Sequence, residues 1–174
     1  YHDNGEVVLD GRKFAYIVFD YISGETVSQY VAREGYLSVY DAKTIVIGIL
    51  NGVKFLHALQ EPVIHNELTI QNVMLDMSKG TNVPRIIDFG YARYLSQGSS
   101  AFNKKGLNPF YSAPEVLNGV FSVKSDIFSV GAILYNLIFG IPPYFVDLSE
   151  CKDDLTAQRV KIEAQQELPL HIPD

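Results

Sequence analysis

The hydrophobic positions of the chain follow two different periods, and this predicts both strands and helices. Two β-rich runs, residues 6–9 and 14–19, flank an Asp-Gly pair at positions 10 and 11. Asp-Gly between two such runs is a strong signal for a hairpin with a two-residue loop. The sequence therefore predicts a β-hairpin near the start of the chain.

Two longer segments carry apolar residues at helical spacing. The first begins after Ser38, an expected N-cap, and we expect it to end at Pro62. Its apolar positions are Val39, Ala42, Ile45, Val46, Ile49, Val53, Leu56 and Leu59. The second covers residues 122–140 and should end at Gly140, just before two consecutive prolines. Both patterns predict mostly buried helices.

Shorter elements are predicted between these helices. Thr26 is a suitable cap for a short helix that ends near Gly35. Residues 72–77 and 84–89 are expected to form two short strands joined by a turn-rich link. Residues 112–117 can form a short helix with a proline in its first turn. The sequence thus predicts one helix-rich α+β domain with two small hairpins.

Two segments are more polar. Residues 90–105 lack periodicity and predict a mobile loop, whereas residues 148–166 have a polar helical pattern. The loop contains Ser96, Ser99 and Ser100, which are either phosphorylation sites or solvated linker residues. Residues 63–72, which concentrate polar side chains behind an apolar pair, also predict a loop.

Composition narrows the class of protein. The 174 residues are 47% hydrophobic and 20% charged, as in an ordinary globular domain. A net charge of −6 argues against a nucleic-acid partner, which usually requires a basic surface. One cysteine, Cys151, excludes an intrachain disulfide and favours a reducing, intracellular and cytoplasmic location. No apolar run suits a membrane span, and the abrupt ends suggest a piece of a longer protein.

Several short motifs occur in a recognisable order. His65, Leu68 and Asn72 have the spacing of the protein-kinase catalytic loop, His-Arg-Asp-Leu-x-x-x-Asn. The motifs that follow are Asp-Phe-Gly at 88–90, Ala-Pro-Glu at 113–115 and Ser-Asp-Ile-Phe-Ser-Val-Gly at 125–131. With these motifs in this order, the chain resembles the eukaryotic-type protein kinase family.

The resemblance implies a protein-kinase-like fold, of which this chain is mainly the helical C-lobe with short hairpins. Residues 1–24 resemble the last N-lobe strands and the hinge. Residues 25–174 resemble the C-lobe, incomplete at its C-terminal end. The Gly-rich loop, the lysine strand and the helix glutamate of the family have no counterpart in the sequence. We therefore expect an N-lobe largely absent here, supplied by the parent chain as a partner.

The resemblance also assigns candidate catalytic and metal-binding residues. Glu67 stands at the position of the catalytic-base aspartate and is one methylene longer. Asn72 and Asp88 match the magnesium ligands of the family. Without the neighbouring motifs, Asn72 and Asp88 would more simply stabilise turns. The implied cofactors are ATP and Mg²⁺.

Other loop positions depart from the family pattern. Asn66 replaces the arginine that pairs with a phosphorylated activation loop, and Thr69 replaces the lysine that steadies the transferred phosphate. Asn108 replaces a threonine that contacts the catalytic loop. His65 is expected to anchor the loop to the core, and Asp126 to brace it by accepting backbone hydrogen bonds.

The resemblance places a nucleotide base against five residues. Phe19 takes the gatekeeper position, Asp20 and Ile22 present hinge backbone groups, and Met74 and Ile87 pack below the ring. The alternative is that they are plain core residues, since apolar side chains are expected at such positions in any fold.

Two functions follow from the resemblance. One is a pseudokinase or strongly impaired kinase that acts by binding a protein partner and retains Mg-ATP binding. The other is an active Ser/Thr protein kinase that transfers the γ-phosphate of ATP to the hydroxyl of a protein substrate, with Glu67 as the base.

Overall fold

A computed structural model describes residues 2–97, 107–117 and 119–143. These residues form both α-helices and β-strands. The strands are β1 Asp3–Leu9, β2 Arg12–Val18, β3 Gly24–Thr26, β4 Val63–Ile64, β5 Val73–Asp76, β6 Val83–Ile86 and β7 Arg93–Tyr94. The helices are α1 Val27–Glu34, α2 Val39–His57, α3 Pro114–Leu117 and α4 Val123–Phe139. Among these described residues, none of the helices has the length and apolarity that a membrane crossing requires.

The predicted N-terminal hairpin is confirmed. Strands β1 and β2 pair antiparallel, and Leu9 faces Arg12 across the loop. Asp10 and Gly11 in that loop have φ values of 50° and 74°. Positive φ at both central residues is the requirement of a type I′ turn, which matches the twist of the strands it joins. The first strand starts at Asp3, three residues earlier than the β-rich run indicates.

Helices α1 and α2 begin where the sequence predicts. The Thr26 hydroxyl accepts from the backbone N–H of Gln29, whose side chain in turn accepts from the Thr26 N–H. These reciprocal bonds satisfy two donors that the helix start would otherwise leave unpaired. The Ser38 hydroxyl caps α2 in the same manner by accepting from the N–H of Asp41.

The predicted end of α2 is wrong. The helix stops at His57, five residues before Pro62. Leu59 consequently lies outside the helix, 37% exposed, rather than on the buried face. Val39, also assigned to that face, is exposed in the first turn. Proline only sets an upper limit on a helix, because it excludes helical geometry at the preceding residue without requiring it further upstream.

A three-stranded antiparallel sheet, β3–β5–β6, packs on α2. Strands β5 and β6 confirm the predicted pair, whereas β3 is not predicted because it is only three residues long. Gly24 in β3 permits the pairing: a Cβ there would lie 1.8 Å from the carbonyl oxygen of Leu75. Gly48 allows α2 to approach the sheet, since a Cβ there would come within 2.7 Å of the Pro84 ring.

Helix α4 confirms its prediction and completes the main core. Ser122 caps its start, and Gly140 ends it with a left-handed φ of 77°. Its apolar side packs on α2. Buried residues that the two helices contribute are Ala42, Ile45, Val46, Ile49, Val53, Val130, Ala132, Ile133 and Leu137. This core supports the loop at 65–72 from below, since Leu68, Ile70 and Val73 belong to the same cluster.

The segments predicted as loops are partly strand. Val63 pairs with Tyr94 and Ile64 with Arg93, which gives the short antiparallel ribbon β4–β7. Residues 95–97 follow as a single 3₁₀ turn. The remainder of the predicted loop, including Ser99 and Ser100, and the polar helical segment with Cys151 lie outside the described residues.

Candidate active site

Asp126 at the start of α4 holds the beginning of the loop at 65–72. Its carboxylate oxygens accept from the backbone N–H groups of His65 and Asn66, over 2.9 and 3.0 Å. The Nε2 atom of His57, in the last turn of α2, lies 2.8 Å from the same carboxylate. The expected bracing role of Asp126 is therefore confirmed. The contact of His57 with Asp126 was not predicted. In the sequence, only the position of His57 near the end of a predicted helix could have indicated it.

His65 is a structural anchor, as predicted. Its ring is fully buried and meets the Phe89 ring edge-on, with the centroids 5.0 Å apart. Its Nε2 lies 3.2 Å from the carbonyl oxygen of Ile87, and its Nδ1 accepts from the N–H of Glu67 over 3.3 Å. These partners require a neutral ring with the proton on Nε2. Burial also lowers the pKa of His65, which favours the neutral form.

Asn66 has a left-handed backbone, with a φ of 65°, and is only 3% exposed. Asn tolerates this conformation better than most residues. Its side-chain Nδ2 donates to the carbonyl oxygens of Tyr91 and Ile64, over 3.1 and 3.5 Å. The residue that replaces the family's arginine thus points into the protein and contacts the chain that follows Asp88.

Glu67, the candidate base, lies half-buried beside the other two candidate residues. Burial raises the pKa of its carboxyl, and the negative charge of Asp88 raises this pKa further. The Asn72 amide opposes both effects and lowers the Glu67 pKa. All three residues therefore share one electrostatic environment. A carboxylate with a raised pKa is a better proton acceptor at neutral pH than an ordinary one.

Asn72 links the loop to the strand that leads to Asp88. Its Nδ2 donates to the backbone oxygen of Glu67 over 2.9 Å, and its own carbonyl accepts from the N–H of Ile87 over 2.9 Å. Because the amide nitrogen is committed to Glu67, the side-chain oxygen of Asn72 is the group left for a cation. The hydrogen bonds thus bring Asn72 next to the residue that precedes Asp88.

Asp88 follows in a strained turn, with a φ of 59° and an exposed side chain. One of its carboxylate oxygens accepts from the N–H of Gly90 over 3.1 Å. A carboxylate and an amide oxygen suit Mg²⁺, which prefers oxygen ligands and retains water. Within the described ranges, no group of three or more His, Cys, Asp and Glu side chains forms a metal cluster.

Thr69 is buried in the loop itself. The residue is 4% exposed, and its hydroxyl oxygen accepts from the backbone N–H groups of Gln71 and Asn72, over 3.2 and 3.3 Å. This pattern stabilises the turn at the end of the loop. A hydroxyl held in this way supports the backbone and does not occupy the phosphate-facing role of a lysine.

The candidate nucleotide-binding residues lie after β2, before β3, in β5 and after β6. Phe19 and Asp20 are exposed, and the Asp20 carboxylate pairs with His2, which lowers its pKa. The other three, Ile22, Met74 and Ile87, are half-buried. The sheet brings the hinge close to β5, because Ser23 accepts from the N–H of Met77 over 2.8 Å.

The segment after Asp88 contains further residues singled out in the sequence. The Ser96 hydroxyl contacts the Glu61 carboxylate. The Asn108 side chain accepts from the N–H of Phe110 over 3.0 Å and so stabilises its own turn. Glu115 of the Ala-Pro-Glu motif accepts from the Ser125 hydroxyl over 3.0 Å.

Known proteins similar to this chain are protein kinases. The family model for the protein kinase domain matches residues 6–172. Probable serine/threonine-protein kinase 2 of Plasmodium falciparum is 34% identical over 132 residues, which are 75% of this chain and 25% of that protein. CDPK-related kinase 5 of Arabidopsis thaliana is 35% identical over 144 residues, 83% of this chain and 22% of that protein. The chain thus spans about a quarter of the length of these relatives.

The family match also corrects one expectation about the fold. It begins at Glu6, within β1, so the β1–β2 hairpin belongs to the matched domain. The expectation of an N-lobe that is largely absent is therefore wrong in this respect, because strands of that part of the domain are present.

Proposed function

Because the chain belongs to the protein kinase family, we propose that it is a kinase domain that binds Mg-ATP, transfers phosphate slowly or not at all, and acts by binding a protein partner. In this assignment, residues 1–24 contribute N-lobe strands and the hinge, and residues 25–174 form the C-lobe. The observation that carries the proposal is the neutral, buried Thr69 at the family's lysine position, whose hydroxyl oxygen is held by the backbone N–H groups of Gln71 and Asn72.

Asp88 and Asn72 are the proposed magnesium ligands. Their oxygen atoms suit a hard cation, and the Asn72–Ile87 hydrogen bond sets the spacing between the loop and the strand end. Bound Mg²⁺ neutralises and orients the phosphates of ATP. The proposed contacts to the nucleotide base come from Phe19, Asp20, Ile22, Met74 and Ile87.

Glu67 is the proposed catalytic-base residue. Its backbone N–H is tied to the buried His65 ring, and its backbone oxygen to the Asn72 amide. These bonds fix the backbone of Glu67, and its half-buried carboxylate is the proposed acceptor of a hydrogen bond from a substrate hydroxyl. The raised pKa favours proton acceptance, but the additional methylene changes the reach by about 1 Å, and errors of this size can cost on the order of 10²-fold in rate.

Thr69 accounts for the proposed loss of rate. Its hydroxyl oxygen is engaged by two backbone N–H groups inside the loop. The charge of the transferred phosphate therefore lacks the cation that a lysine supplies at this position. Removing a single preorganised electrostatic partner typically lowers kcat by about 10²–10³-fold.

A second candidate function is an active Ser/Thr protein kinase. The similar proteins favour it, since they include probable serine/threonine-protein kinases. The raised pKa of Glu67 also favours it, because this carboxyl group is suited to proton transfer near neutral pH.

Thermal denaturation with ATP, with and without Mg²⁺, tests the binding part of the proposal. We expect a magnesium-dependent rise in Tm that Asp88→Asn abolishes. Asp10→Asn is the matched control, because Asp10 also has a positive φ and an exposed carboxylate. An unchanged Tm for the wild type with Mg-ATP would contradict the proposed binding site.

A phosphotransfer assay separates the two functions. The proposed function predicts a wild-type rate at least about 10²-fold below that of typical kinases, or no transfer, with intact nucleotide binding in both the wild type and Glu67→Gln. A wild-type rate typical of kinases, about 1–100 s⁻¹, that Glu67→Gln abolishes would establish the active kinase instead.

A further inference from the structure

Several hydrogen bonds connect the start of the loop that carries Glu67 to the chain that follows Asp88. Two of the connections use only the backbone: the pairing of Ile64 with Arg93, and the bond from the Leu95 N–H to the Pro62 carbonyl, over 2.8 Å. Two others use side chains, since Asn66 Nδ2 donates to the Tyr91 carbonyl over 3.1 Å and the Ser96 hydroxyl contacts the Glu61 carboxylate. Of these two, the Asn66 contact is the one that involves a residue of the loop at 65–72.

The orientation of the Asn66 carboxamide follows from its neighbours. Its Nδ2 faces two backbone carbonyl oxygens, those of Tyr91 and Ile64. A flipped amide would place its oxygen against both of them, so the assignment of the nitrogen is set by the contacts. The backbone is equally constrained, because the Asn66 N–H donates to the buried carboxylate of Asp126.

The carboxamide oxygen of Asn66 is buried and has no hydrogen-bond partner among the described residues. An unpaired buried oxygen carries a free-energy penalty. Glycine would tolerate the left-handed backbone without that penalty. The unpaired oxygen of the Asn66 side chain therefore lowers the stability of the protein. The hydrogen bond from the side-chain nitrogen to the Tyr91 carbonyl opposes this loss.

Charge distinguishes this contact from an arginine-based one. A guanidinium in so buried a position needs an anion beside it. The neutral carboxamide needs none, and its partner is a backbone carbonyl that is present whatever the modification state of the chain.

We propose that Asn66 is a positioning residue whose neutral carboxamide fastens the segment 91–95 to the loop that carries Glu67, so that the order of this segment does not depend on phosphorylation. The inference concerns regulation of the site and rests on the proposed function, whose binding residues are Asn72 and Asp88. The fastening itself is independent of whether nucleotide binds.

Hydrogen exchange in the full chain tests the proposal. The backbone N–H groups of Ala92 and Leu95 donate to Phe89 and Pro62, so their exchange rates report the order of the segment. In Asn66→Gly, which tolerates the positive φ but lacks the carboxamide, we expect faster exchange at these two amides, on the order of tenfold. Exchange at the buried strand residue Leu75 should remain as in the wild type. In the wild type, phosphorylation by an added serine kinase and its removal by phosphatase should both leave the exchange of Ala92 and Leu95 unchanged.

Two further variants separate positioning from a general loss of stability. Asn66→Asp keeps the size of the side chain but directs an oxygen at both carbonyls, so it should also accelerate exchange at Ala92 and Leu95. Asn136→Ala is the matched control, because Asn136 is equally buried and accepts from the Tyr111 hydroxyl over 2.9 Å. It should lower Tm without a selective effect on the segment.

Wild-type exchange rates at Ala92 and Leu95 in both Asn66 variants would overturn the proposal, as would a wild type in which phosphorylation or phosphatase treatment changes exchange there. The wild-type measurement remains decisive if neither variant folds. Failure of the proposed function is distinguishable: Mg-ATP would then leave Tm unchanged while the Asn66 variants still accelerate exchange.

Discussion

Asp126 accepts a hydrogen bond from the backbone N–H of Asn66 over 3.0 Å, although 60 residues separate them in the chain. Its other carboxylate oxygen accepts from the N–H of His65 and lies next to His57. One buried carboxylate therefore connects the start of α4, the end of α2 and the candidate catalytic loop. The position of Glu67, the next residue along the loop, depends on this connection.

Removal of the Asp126 carboxylate should destabilise the whole domain. Asp126→Ala leaves two buried backbone donors and His57 without their acceptor, so we expect a loss of about 3–5 kcal/mol in the free energy of unfolding. Urea denaturation measures the change. Asp41→Ala is the control, since Asp41 is an exposed residue in the first turn of α2, and its loss should cost less than about 1 kcal/mol. Similar losses in both variants would contradict the bracing role.

His65 should make the stability depend on pH. Burial lowers the pKa of His65 in the folded state, whereas the unfolded value is near 6.5. Below that value the unfolded chain binds a proton that the folded chain resists, so stability is lost as the pH falls from about 6.5 toward 5. We expect a steeper loss in the wild type than in His65→Gln, measured by urea denaturation at each pH. Parallel curves would show that His65 does not contribute.

The pKa of Glu67 should respond in opposite directions to its two neighbours. Asp88→Asn removes a negative charge and should lower the Glu67 pKa, but only partly, because burial is the larger cause of its elevation. Asn72→Ala removes the amide that lowers this pKa and should raise it. Carboxyl ¹³C NMR titration measures both variants. A Glu67 pKa that neither substitution moves would contradict the shared electrostatic environment.

Substitutions at Thr69 distinguish a backbone role from a phosphate-binding one. Thr69→Val keeps the shape but removes the side-chain acceptor of the Gln71 N–H, whereas the Asn72 N–H retains the Thr69 carbonyl oxygen over 3.1 Å, and we expect a loss of about 1–3 kcal/mol in unfolding free energy. Thr69→Ser retains the oxygen and serves as the control. Thr69→Lys should also destabilise the domain, because the site is buried, and should leave the phosphotransfer rate low. A large gain in rate for Thr69→Lys would contradict this account.

Local elements of the fold were predictable from a few residues each. Asp10 and Gly11 specify the hairpin loop through their backbone preferences. Thr26 and Ser38 specify helix starts, and Gly140 a helix end, because capping involves only neighbouring residues. The order of the kinase motifs similarly identified the family, and it located His65 and Asp126 in the roles that the structure shows.

Other features were decided by contacts between distant parts of the chain. The ribbon between Val63–Ile64 and Arg93–Tyr94 is too short to give an alternating pattern, and it pairs segments that are about 30 residues apart in the sequence. Thr69 is polar, and polar side chains mostly lie at the surface. In the structure, however, its hydroxyl turns inward and accepts from the backbone of its own loop. Likewise, α2 ends at His57, whose ring lies 2.8 Å from the Asp126 carboxylate, and the period of its apolar residues does not record this end.

The sequence by itself determined the elements with local causes, the family, and the identities of the residues at each kinase position. Only the tertiary structure decided which of these side chains face the site and which face the protein. The physical reason is that backbone preferences act over a few residues, whereas burial and the choice of hydrogen-bond partners depend on segments brought together from far apart. Asn66 shows the difference, because its carboxamide meets the Tyr91 carbonyl only in the folded chain.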